Sequence, residues 1–420
     1  MKSRTLTCIT AISLFAALAV PLQLAAQRYI VTDIGTLGGT FTEANALNNK
    51  GWVVGDATLP GDTALHAILW RNGALTDLGT LGGPNSNAVF PLNERGEIGG
   101  VAETSTPDPL GEDFCSFGDH LICLPYLWQR GVMTPLPTLG GGSGNAKEIN
   151  NRGQVVGFAE NTTPDPTCVA PQVLHFKPVL WEKGQIQELP TFPGDPDGVA
   201  LVINDNGQAA GASGNCHKDS PEEDFHALLW THGTVIDLGN LGGTMNNLSQ
   251  DINNQGQVVG FSNLPGDTTT HAFFWQNGVM TDLGTLPGDF SSFAAGINGK
   301  GQVVGTSLDS SGNPRAFLRQ GGVMTDLNTL IPAGSPLFLL AAFSINSRGE
   351  IVGDALQIST GEVHGYLATP VPGSASAALA PQGQTRRSPK VVLPANLRKL
   401  LRQRLGHRYH IPGLVPSTRD

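Results

Sequence analysis

Residues 271–305 read HAFFWQNGVMTDLGTLPGDFSSFAAGINGKGQVVG, and they contain two turn signals that recur along the chain. Asn277 and Gly278 form a two-residue turn signal, which predicts a hairpin between the runs on either side. The Asn298-x-x-Gly301 element predicts a second tight turn, because Asn bonds local backbone and Gly accepts positive φ. The stretch therefore predicts two strands of one unit followed by two strands of the next.

The Asn-x-x-Gly-x-x-x-Gly element of this stretch occurs seven times in the chain. The copies are Asn48/Gly51/Gly55, Asn93/Gly96/Gly100, Asn150/Gly153/Gly157, Asn204/Gly207/Gly211, Asn253/Gly256/Gly260, Asn298/Gly301/Gly305 and Asn346/Gly349/Gly353. The first glycines of successive copies are 45, 57, 54, 49, 45 and 48 residues apart. Periods of this size are typical of propellers and other arrays of supersecondary units.

Two further elements repeat with the same period. The His-Ala-x-apolar-Trp element occupies 66–70, 226–230 and 271–275, has degraded copies ending at Trp128, Trp181 and Arg319, and has a last copy at 364–368. The Thr-Asp-Leu-Gly element places Asp33, Asp77, Asp237, Asp282 and Asp326, with Pro135 and Glu188 in the two odd copies. We expect these recurring His, Trp, Asn and Asp residues to serve packing and turns rather than ligand binding.

The two ends of the array complement each other. The stretch 29–34 is a fourth strand that lacks the three before it, and the repeats end with a first, second and third strand that lack the fourth. A ring joins these parts and removes two open sheet edges, whereas an open solenoid gains nothing from the offset. With four strands in each unit of about 45 residues, the sequence predicts an all-β, seven-bladed β-propeller over residues 28–369, closed by its N-terminal strand.

The combination of His-Ala-Phe, Asn-Gly, Met-Thr-Asp-Leu-Gly and Ile-Asn-x-x-Gly-Gln-Val-Val-Gly resembles the bacterial extracellular repeats called the HAF family. The resemblance covers about 340 residues and is most complete over 271–305. It implies an exported, repeat-built protein. It implies no reaction, ligand or catalytic residue. The copies that end at Trp128 and Trp181 depart most from the pattern, with Pro125 and Pro178 at the usual Ala position.

Composition agrees with a turn-rich β protein. The 420 residues include 54 Gly and 29 Pro, only 14% are charged, and 40% are hydrophobic, enough for a large core. The formal net charge is −10; residues 371–420 carry nine Lys or Arg against Asp420, which gives +8, so residues 1–370 carry −18. Because phosphate contacts need clustered cations, we expect no nucleic-acid partner for the acidic body.

The two termini differ from the repeats. Residues 1–27 have two basic residues, an apolar stretch and small residues at Ala25 and Ala26, which predicts a signal peptide and a secreted or periplasmic chain. No later stretch is long and apolar enough to predict a transmembrane segment. Residues 370–420 predict a flexible linker and a basic tail, with a short helix at 395–405 that offers contact with an anionic surface.

Export permits disulfides, and four cysteines follow the signal peptide: Cys115, Cys123, Cys168 and Cys216. Three pairings are open. Cys115 with Cys123 closes a short loop, and Cys168 with Cys216 joins equivalent positions of neighbouring repeats, which favours the second pair on geometry. Zinc binding is the alternative, but the spacing matches no common zinc motif.

Three connections are longer than the rest: 103–124, 160–176 and 213–225. They share one face of the propeller and hold all four of these cysteines. Loops on a rigid scaffold often carry function, so we expect a ligand to bind this face near blades two to five. The candidate ligand-binding residues are Asp108, Asp113, Asp119, Asp165, Asp219 and Glu222. The alternative is that the loops are solvated insertions braced by disulfides.

Cofactor and catalytic motifs are weak. The stretches 194–198 and 287–289 offer oxygen ligands for calcium, but neither forms a full EF-hand pattern, so we expect no cofactor and keep calcium as an alternative. We find no His-Glu-x-x-His, Gly-x-Ser-x-Gly or phosphate-loop motif. The sequence therefore favours a secreted, non-catalytic binding protein with a glycan or protein ligand. The alternatives are a carboxylate-dependent enzyme that acts on polysaccharide and a structural envelope protein attached by its tail.

Overall fold

The computed structural model describes residues 28–90, 92–216, 225–372, 393 and 398. Within these ranges 29 strands form seven antiparallel sheets, and two short 3-10 turns lie between strands. Six sheets have four strands in chain order, and the seventh has five because its first strand is split. The predicted seven-bladed β-propeller is therefore confirmed. The predicted signal peptide lies outside the described residues.

Each blade uses four strand positions. The first strands are β2 (Thr42–Leu47), β6 (Gly82–Asn87), β10 (Gly144–Ile149), β14 (Asp197–Ile203), β18 (Leu248–Ile252), β22 (Asp289–Ile297) and the split pair β26 (Leu337–Leu339) and β27 (Ser344–Ile345). The second strands are β3 (Val53–Thr58), β7 (Ile98–Pro107), β11 (Val155–Pro164), β15 (Ala209–Gly214), β19 (Val258–Asn263), β23 (Val303–Asp309) and β28 (Ile351–Gln357).

The third strands are β4 (Leu65–Arg71), β8 (Leu121–Gln129), β12 (Leu174–Glu182), β16 (His226–Thr231), β20 (Thr270–Gln276), β24 (Pro314–Gln320) and β29 (Val363–Pro370). The fourth strands are β5 (Ala74–Asp77), β9 (Val132–Pro135), β13 (Gln185–Glu188), β17 (Thr234–Asp237), β21 (Val279–Asp282), β25 (Val323–Asp326) and, for blade seven, β1 (Tyr29–Asp33). First strands of neighbouring blades contact one another around most of the ring, from β10 through β14, β18, β22 and β27 to β2, so they line the axis, and the fourth strands form the rim.

The ring closes through the N-terminal strand, as the offset ends predict. Strand β1 pairs antiparallel with β29, from Tyr29 opposite Pro370 to Asp33 opposite Tyr366. The Tyr29 side chain is buried in the apolar cluster of blade seven. The chain's first and last described strands therefore share one sheet.

The seven repeated Asn residues form a second ring near the axis. Each Asn Oδ1 accepts backbone N–H groups two and four residues later, as at Asn346, and each Nδ2 donates to the backbone carbonyl of the Asn in the next blade. The donor and acceptor pairs, 3.0–3.2 Å apart, are Asn48 to Asn93, Asn93 to Asn150, Asn150 to Asn204, Asn204 to Asn253, Asn253 to Asn298, Asn298 to Asn346 and Asn346 to Asn48. The predicted turn role is confirmed, and the contact between blades is an addition to it.

The two repeated glycines have separate causes. The first takes the left-handed backbone that its turn needs, with φ +70° at Gly301. The second faces a bulge in the first strand, where a Cβ at Gly260 would overlap the Leu248 carbonyl oxygen. A side chain at this position would push the two innermost strands apart.

In three blades the repeated His and Asp residues pair with each other, whereas His226 pairs with Asp195 instead of the repeated Asp237. His271 Nδ1 lies 3.0 Å from the Asp282 carboxylate, and His66 Nδ1 lies 2.9 Å from that of Asp77. In blade seven the same pair joins His364 to Asp33 at 2.7 Å. The packing role predicted for these residues is therefore confirmed.

Beyond residue 372, two residues of the C-terminal tail are described, and both contact the propeller. Leu393 is 2% exposed and packs in an apolar cluster with Phe41, Phe338 and Val363. Arg398 Nη1 donates to the Ser311 carbonyl at 3.4 Å. The rest of the predicted helix 395–405 lies outside the described residues. In the described part of the chain no helix is long and apolar enough to cross a membrane.

Candidate functional site

The antiparallel order of strands gives the propeller two unlike faces. The tight turns between first and second strands and between third and fourth strands lie on one face. The connections between second and third strands, and those that lead to the next blade, lie on the other, which we call the long-loop face. The strand arrangement recurs in all seven blades whereas the connections between second and third strands differ in length, so the differences between blades are concentrated on this face.

Two hairpins extend from the long-loop face. Strands β7 and β11 have 10 residues and β8 and β12 have nine, whereas β3 and β19, for example, have six. Pairing continues past a register shift to Pro107 opposite Leu121 in blade two and to Pro164 opposite Leu174 in blade three. We call these hairpins, residues 103–124 and 160–176, the ridge.

Two disulfides brace the ridge. Cys115 joins Cys123 within the blade-two hairpin, with Cα atoms 6.3 Å apart. Cys168 joins the blade-three loop to Cys216 at the end of β15, with Cα atoms 4.6 Å apart. The pairing favoured from the sequence is confirmed. The second bond ties the ridge to blade four.

Glu112 fastens the two hairpins to each other. Its Oε1 accepts hydrogen bonds from the backbone N–H groups of Val173 at 2.6 Å and Leu174 at 2.8 Å and from Gln172 Nε2 at 3.0 Å. The Phe114 ring of the first hairpin also packs on Phe158 of β11, with centroids 5.4 Å apart. These contacts order the ridge as a single rigid projection.

Three carboxyl groups cluster under the ridge. Glu160 is buried and accepts hydrogen bonds from Gln172 Nε2 at 2.9 Å and from the Ser143 N–H at 2.8 Å. Burial, together with the negative charges of Glu112 and Asp108, raises the pKa of Glu160 to about 7. Burial and the Asp108 charge also raise the pKa of Glu112. Glu160 therefore exchanges its proton near neutral pH.

A second carboxyl pair lies between blades three and four. Asp197 Oδ1 accepts from the Phe176 N–H at 2.9 Å and lies 3.1 Å from His175 Nδ1. Asp165 Oδ2 lies 3.2 Å from the same nitrogen, and Thr167 donates from its N–H and hydroxyl to Asp165 Oδ1, each at 2.7 Å. Burial and the shared hydrogen bond with Asp165 raise the pKa of Asp197 to about 8. Although burial opposes it, hydrogen bonds from Asp197 and Thr167 lower the pKa of Asp165.

The predicted site residues are thus divided among different surroundings. Asp108 and Asp165 are buried, in the first and second carboxyl groups respectively. Asp113 accepts the Gly118 N–H at 3.1 Å, and exposed Asp119 accepts Asn85 Nδ2 at 2.9 Å. Asp219 and Glu222 lie outside the described residues. Asp108 and Asp165 are therefore shielded from solvent, and the alternative of insertions braced by disulfides stays a prediction beside the ligand-binding one.

Sequence reasoning missed Glu160, Asp197, His175 and Gln172 as members of these groups. Glu160 marks the end of a long loop, and Asp197 belongs to the stretch 194–198 that offers calcium oxygens. The two carboxylates of that stretch have different partners: Asp195 Oδ2 lies 2.9 Å from His226 Nδ1, whereas Asp197 contacts His175 and the Phe176 N–H. In 287–289, Asp289 pairs with Arg315 at 2.6 Å. Calcium binding at these stretches stays a prediction.

The tips of the ridge carry apolar side chains. Leu110 in blade two is 50% exposed and Val169 in blade three is 45% exposed. Each belongs to a loop held by a disulfide. Val279 and Val323 on the rim are more exposed still, so the ridge is distinguished by its fixed projection and not by its apolar exposure alone.

No family model matches the sequence, and no curated protein matches it. Among solved structures, a puromycin-hydrolyzing peptidase from Mycobacterium tuberculosis is 13% identical with a TM-score of 0.47, over 82% of this chain and 56% of that chain. The β-propeller domain of the Trilobed protease from Pyrococcus furiosus is 12% identical with a TM-score of 0.44, over 69% of this chain and 84% of that one. A gluconolactonase from Xanthomonas campestris is 10% identical with a TM-score of 0.37, over 82% and 90%.

These solved structures are β-propellers, and at these identities and TM-scores they carry no argument about function. The chain spans about half the length of the peptidase. The assignment of the fold rests on the strand pairing described above.

Proposed function

We propose that this chain is an exported, non-catalytic binding protein of the HAF-repeat type that holds a glycan or protein ligand on its ridge. One observation carries the proposal: the additional chain of blades two and three is concentrated on one face and fastened there by Glu112 and two disulfides. A preordered surface loses little conformational entropy on binding, which favours affinity. The apolar tips at Leu110 and Val169 supply contact area for a protein partner or for the apolar faces of sugar rings.

The burial of the carboxyl groups supports binding over catalysis. Glu160, Asp165 and Asp197 have buried side chains that are engaged by neighbouring groups. General acid–base catalysis needs a group within reach of the substrate proton. These three carboxyls therefore serve the architecture of the ridge in the proposal.

The first experiment is a binding screen of the purified chain against glycans, polysaccharides and extracellular proteins, run with calcium and with a chelator. The proposal expects at least one ligand that binds saturably. A loss of that binding in the presence of the chelator would show that calcium contributes. A parallel turnover assay on each polysaccharide separates binding from hydrolysis. Turnover that is lost in Asp197→Asn would support the enzyme alternative, and a blank screen in both conditions would favour a structural envelope role.

A further inference from the structure

The disulfide between Cys168 and Cys216 lies against two buried carboxylates. One ligand atom from each of Asp165, Cys168, Asp197 and Cys216 lies within 4.8 Å of the others. The side chains of Asp165 and Asp197 are almost fully buried. Two sulfur and two carboxylate donors are the number and kind that a tetrahedral, zinc-class cation takes.

Apart from the hydrogen bond that the two carboxyls share, two oxygens of this group have no hydrogen-bond donor among the described residues. Asp165 Oδ2 and Asp197 Oδ2 are both buried and unsatisfied, although His175 Nδ1 lies 3.2 Å from Asp165 Oδ2. Their partner oxygens are occupied by Thr167 and by the Phe176 N–H. Buried polar atoms are almost always paired, so two orphan oxygens in one cluster indicate a place for a shared proton or a cation.

We propose that Cys168, Cys216, Asp165 and Asp197 bind a zinc-class divalent cation when the disulfide is reduced, and that forming the disulfide closes this site. The inference does not depend on a ligand binding at the ridge. With the disulfide formed, one proton shared by the two carboxyls occupies the gap. With the disulfide reduced, the cation occupies it and is held by two thiolates and two carboxylates.

The redox step is thiol–disulfide exchange with a dithiol reductant. One thiolate of the reductant attacks Cys168 or Cys216, which breaks the bond between the two cysteines and forms a mixed disulfide. The second thiol of the reductant then displaces the remaining cysteine, so the reductant becomes a disulfide and the two cysteines gain two electrons and two protons. Cation binding afterwards releases the thiol protons and the proton that the carboxyls share.

Charge explains why the reduced cysteines need a cation. Two thiolates next to two buried carboxylates would place several negative charges in a poorly solvated space, which is costly without a counterion. Zinc bonds to sulfur and oxygen put tetrahedral donors about 3.5 Å apart, within the 4.8 Å that spans the present cluster. The two sulfurs are bonded to each other in the oxidised chain, so they must separate on reduction before both can bind the cation. His175 Nδ1, near both carboxylates, is a positioning residue that orients them.

The test measures zinc binding to the full chain in a Cys115→Ser/Cys123→Ser background, which leaves Cys168–Cys216 as the one disulfide of the described residues. The chain is titrated with zinc in its oxidised form and after reduction by a phosphine, which does not compete as a thiol would. Cobalt serves as a second probe, because thiolate coordination gives it charge-transfer absorption. The comparison variant is Asp165→Asn/Asp197→Asn, and Asp113→Asn/Asp119→Asn is the matched control.

The proposal expects three results for the reduced chain: one tightly bound zinc, thiolate–cobalt absorption, and protection of both cysteines from alkylation. All three should be lost in Asp165→Asn/Asp197→Asn and kept in the control variant. His175→Ala should weaken zinc affinity by about 10–100-fold. Equal zinc binding by oxidised and reduced chains, or none by the reduced chain, would overturn the proposal. If reduction unfolds the chain, circular dichroism replaces the binding readout. The proposal then expects zinc to restore the native spectrum of the parent but not that of Asp165→Asn/Asp197→Asn.

Discussion

Asn346 Nδ2 donates a hydrogen bond to the backbone carbonyl of Asn48 at 3.1 Å, across 298 positions of sequence. This contact joins the last blade to the first near the axis, while the pairing of β1 with β29 joins the chain ends at the rim. The ring of blades is therefore closed twice, once by side chains and once by backbone.

Replacing Asn346 should open the inner closure. Asn346→Ala removes the donor to Asn48 and the acceptor for the N–H groups of Arg348 and Glu350, leaving buried polar groups unpaired. We expect the free energy of unfolding to fall by about 2–3 kcal/mol in urea titrations. Asn240→Ala is the control, because exposed Asn240 makes one local bond to the Gly242 N–H. Equal losses in the two variants would show that the contact between blades contributes nothing.

The pair of His364 and Asp33 should make the outer closure sensitive to pH. The hydrogen bond that His364 donates to Asp33 raises the pKa of His364 against the effect of burial. Burial raises the pKa of Asp33, but hydrogen bonds from His364 and from the Gly35 N–H outweigh it and lower that pKa. A raised His pKa gives stability that is complete below about pH 6.5 and is lost as pH rises through the folded value.

A double-mutant cycle of His364→Ala and Asp33→Ala measures this closure. The coupling energy should be of order 1 kcal/mol at pH 5.5 and smaller at pH 8.5, since the pair is partly solvated. His66→Ala with Asp77→Ala provides the equivalent pair within blade one. Coupling that grows between pH 5.5 and 8.5 would contradict the assignment.

Glu160 should make the folded state less stable as pH rises. Its pKa is raised to about 7 by burial and by neighbouring carboxylates, so the folded chain binds a proton that the unfolded chain has released. The stability that comes from this proton is complete below about pH 4.5 and is lost progressively up to about pH 7. Glu160→Gln should remove this part of the pH dependence, worth up to about 3 kcal/mol.

Thermal unfolding at pH 5 and pH 8 gives the readout for Glu160. Glu182→Gln, at an exposed position at the end of β12, is the control and should keep the parental difference between the two pH values. A Glu160→Gln variant with the parental pH dependence would show that Glu160 is ionised throughout this range.

Leu393 should hold the C-terminal tail on blade seven. Its side chain is buried with Phe41, Phe338 and Val363, so Leu393→Asp would place a charge in an apolar cluster. We expect limited trypsin digestion at Arg398 to become several-fold faster, because the open population increases. Val132→Asp, at an exposed rim position, should leave the rate unchanged. An unchanged rate in Leu393→Asp would mean that this contact does not hold the tail.

The repeats made the fold predictable, and the exceptions to them did not reveal the site. Seven copies of one pattern predict the blade number, and the offset of residues 29–34 predicts the closure. The Asn-x-x-Gly spacing predicts the turn at Asn346, but the hydrogen bond from Asn346 to Asn48 depends on the geometry between blades. Glu160 has a counterpart in Glu103, three residues after the second repeated glycine of the preceding blade, and Asp197 lies outside the three repeated elements. The repeat does not indicate their partners, which come from other loops. No periodic signal marks such pairs.

For the disulfide between Cys168 and Cys216, too, the repeat predicts the bond but not the side chains around it. Cys168 and Cys216 occupy equivalent positions of neighbouring repeats, so the propeller geometry predicts their bond. The carboxylates of Asp165 and Asp197 beside that bond become evident only when a loop of blade three meets the first strand of blade four.

If a ligand binds the ridge, changes to the exposed ridge side chains should weaken its binding. The measurement is the dissociation constant of ridge variants for the ligand identified in the binding screen. Leu110→Glu/Val169→Glu changes the two apolar tips, and Val279→Glu/Val323→Glu is matched to it on the rim, where the side chains are 63% and 64% exposed. We predict that the ridge variant loses about tenfold or more in affinity while the rim variant binds as the parent does. Parental affinity in the ridge variant, with its fold intact, would contradict the account.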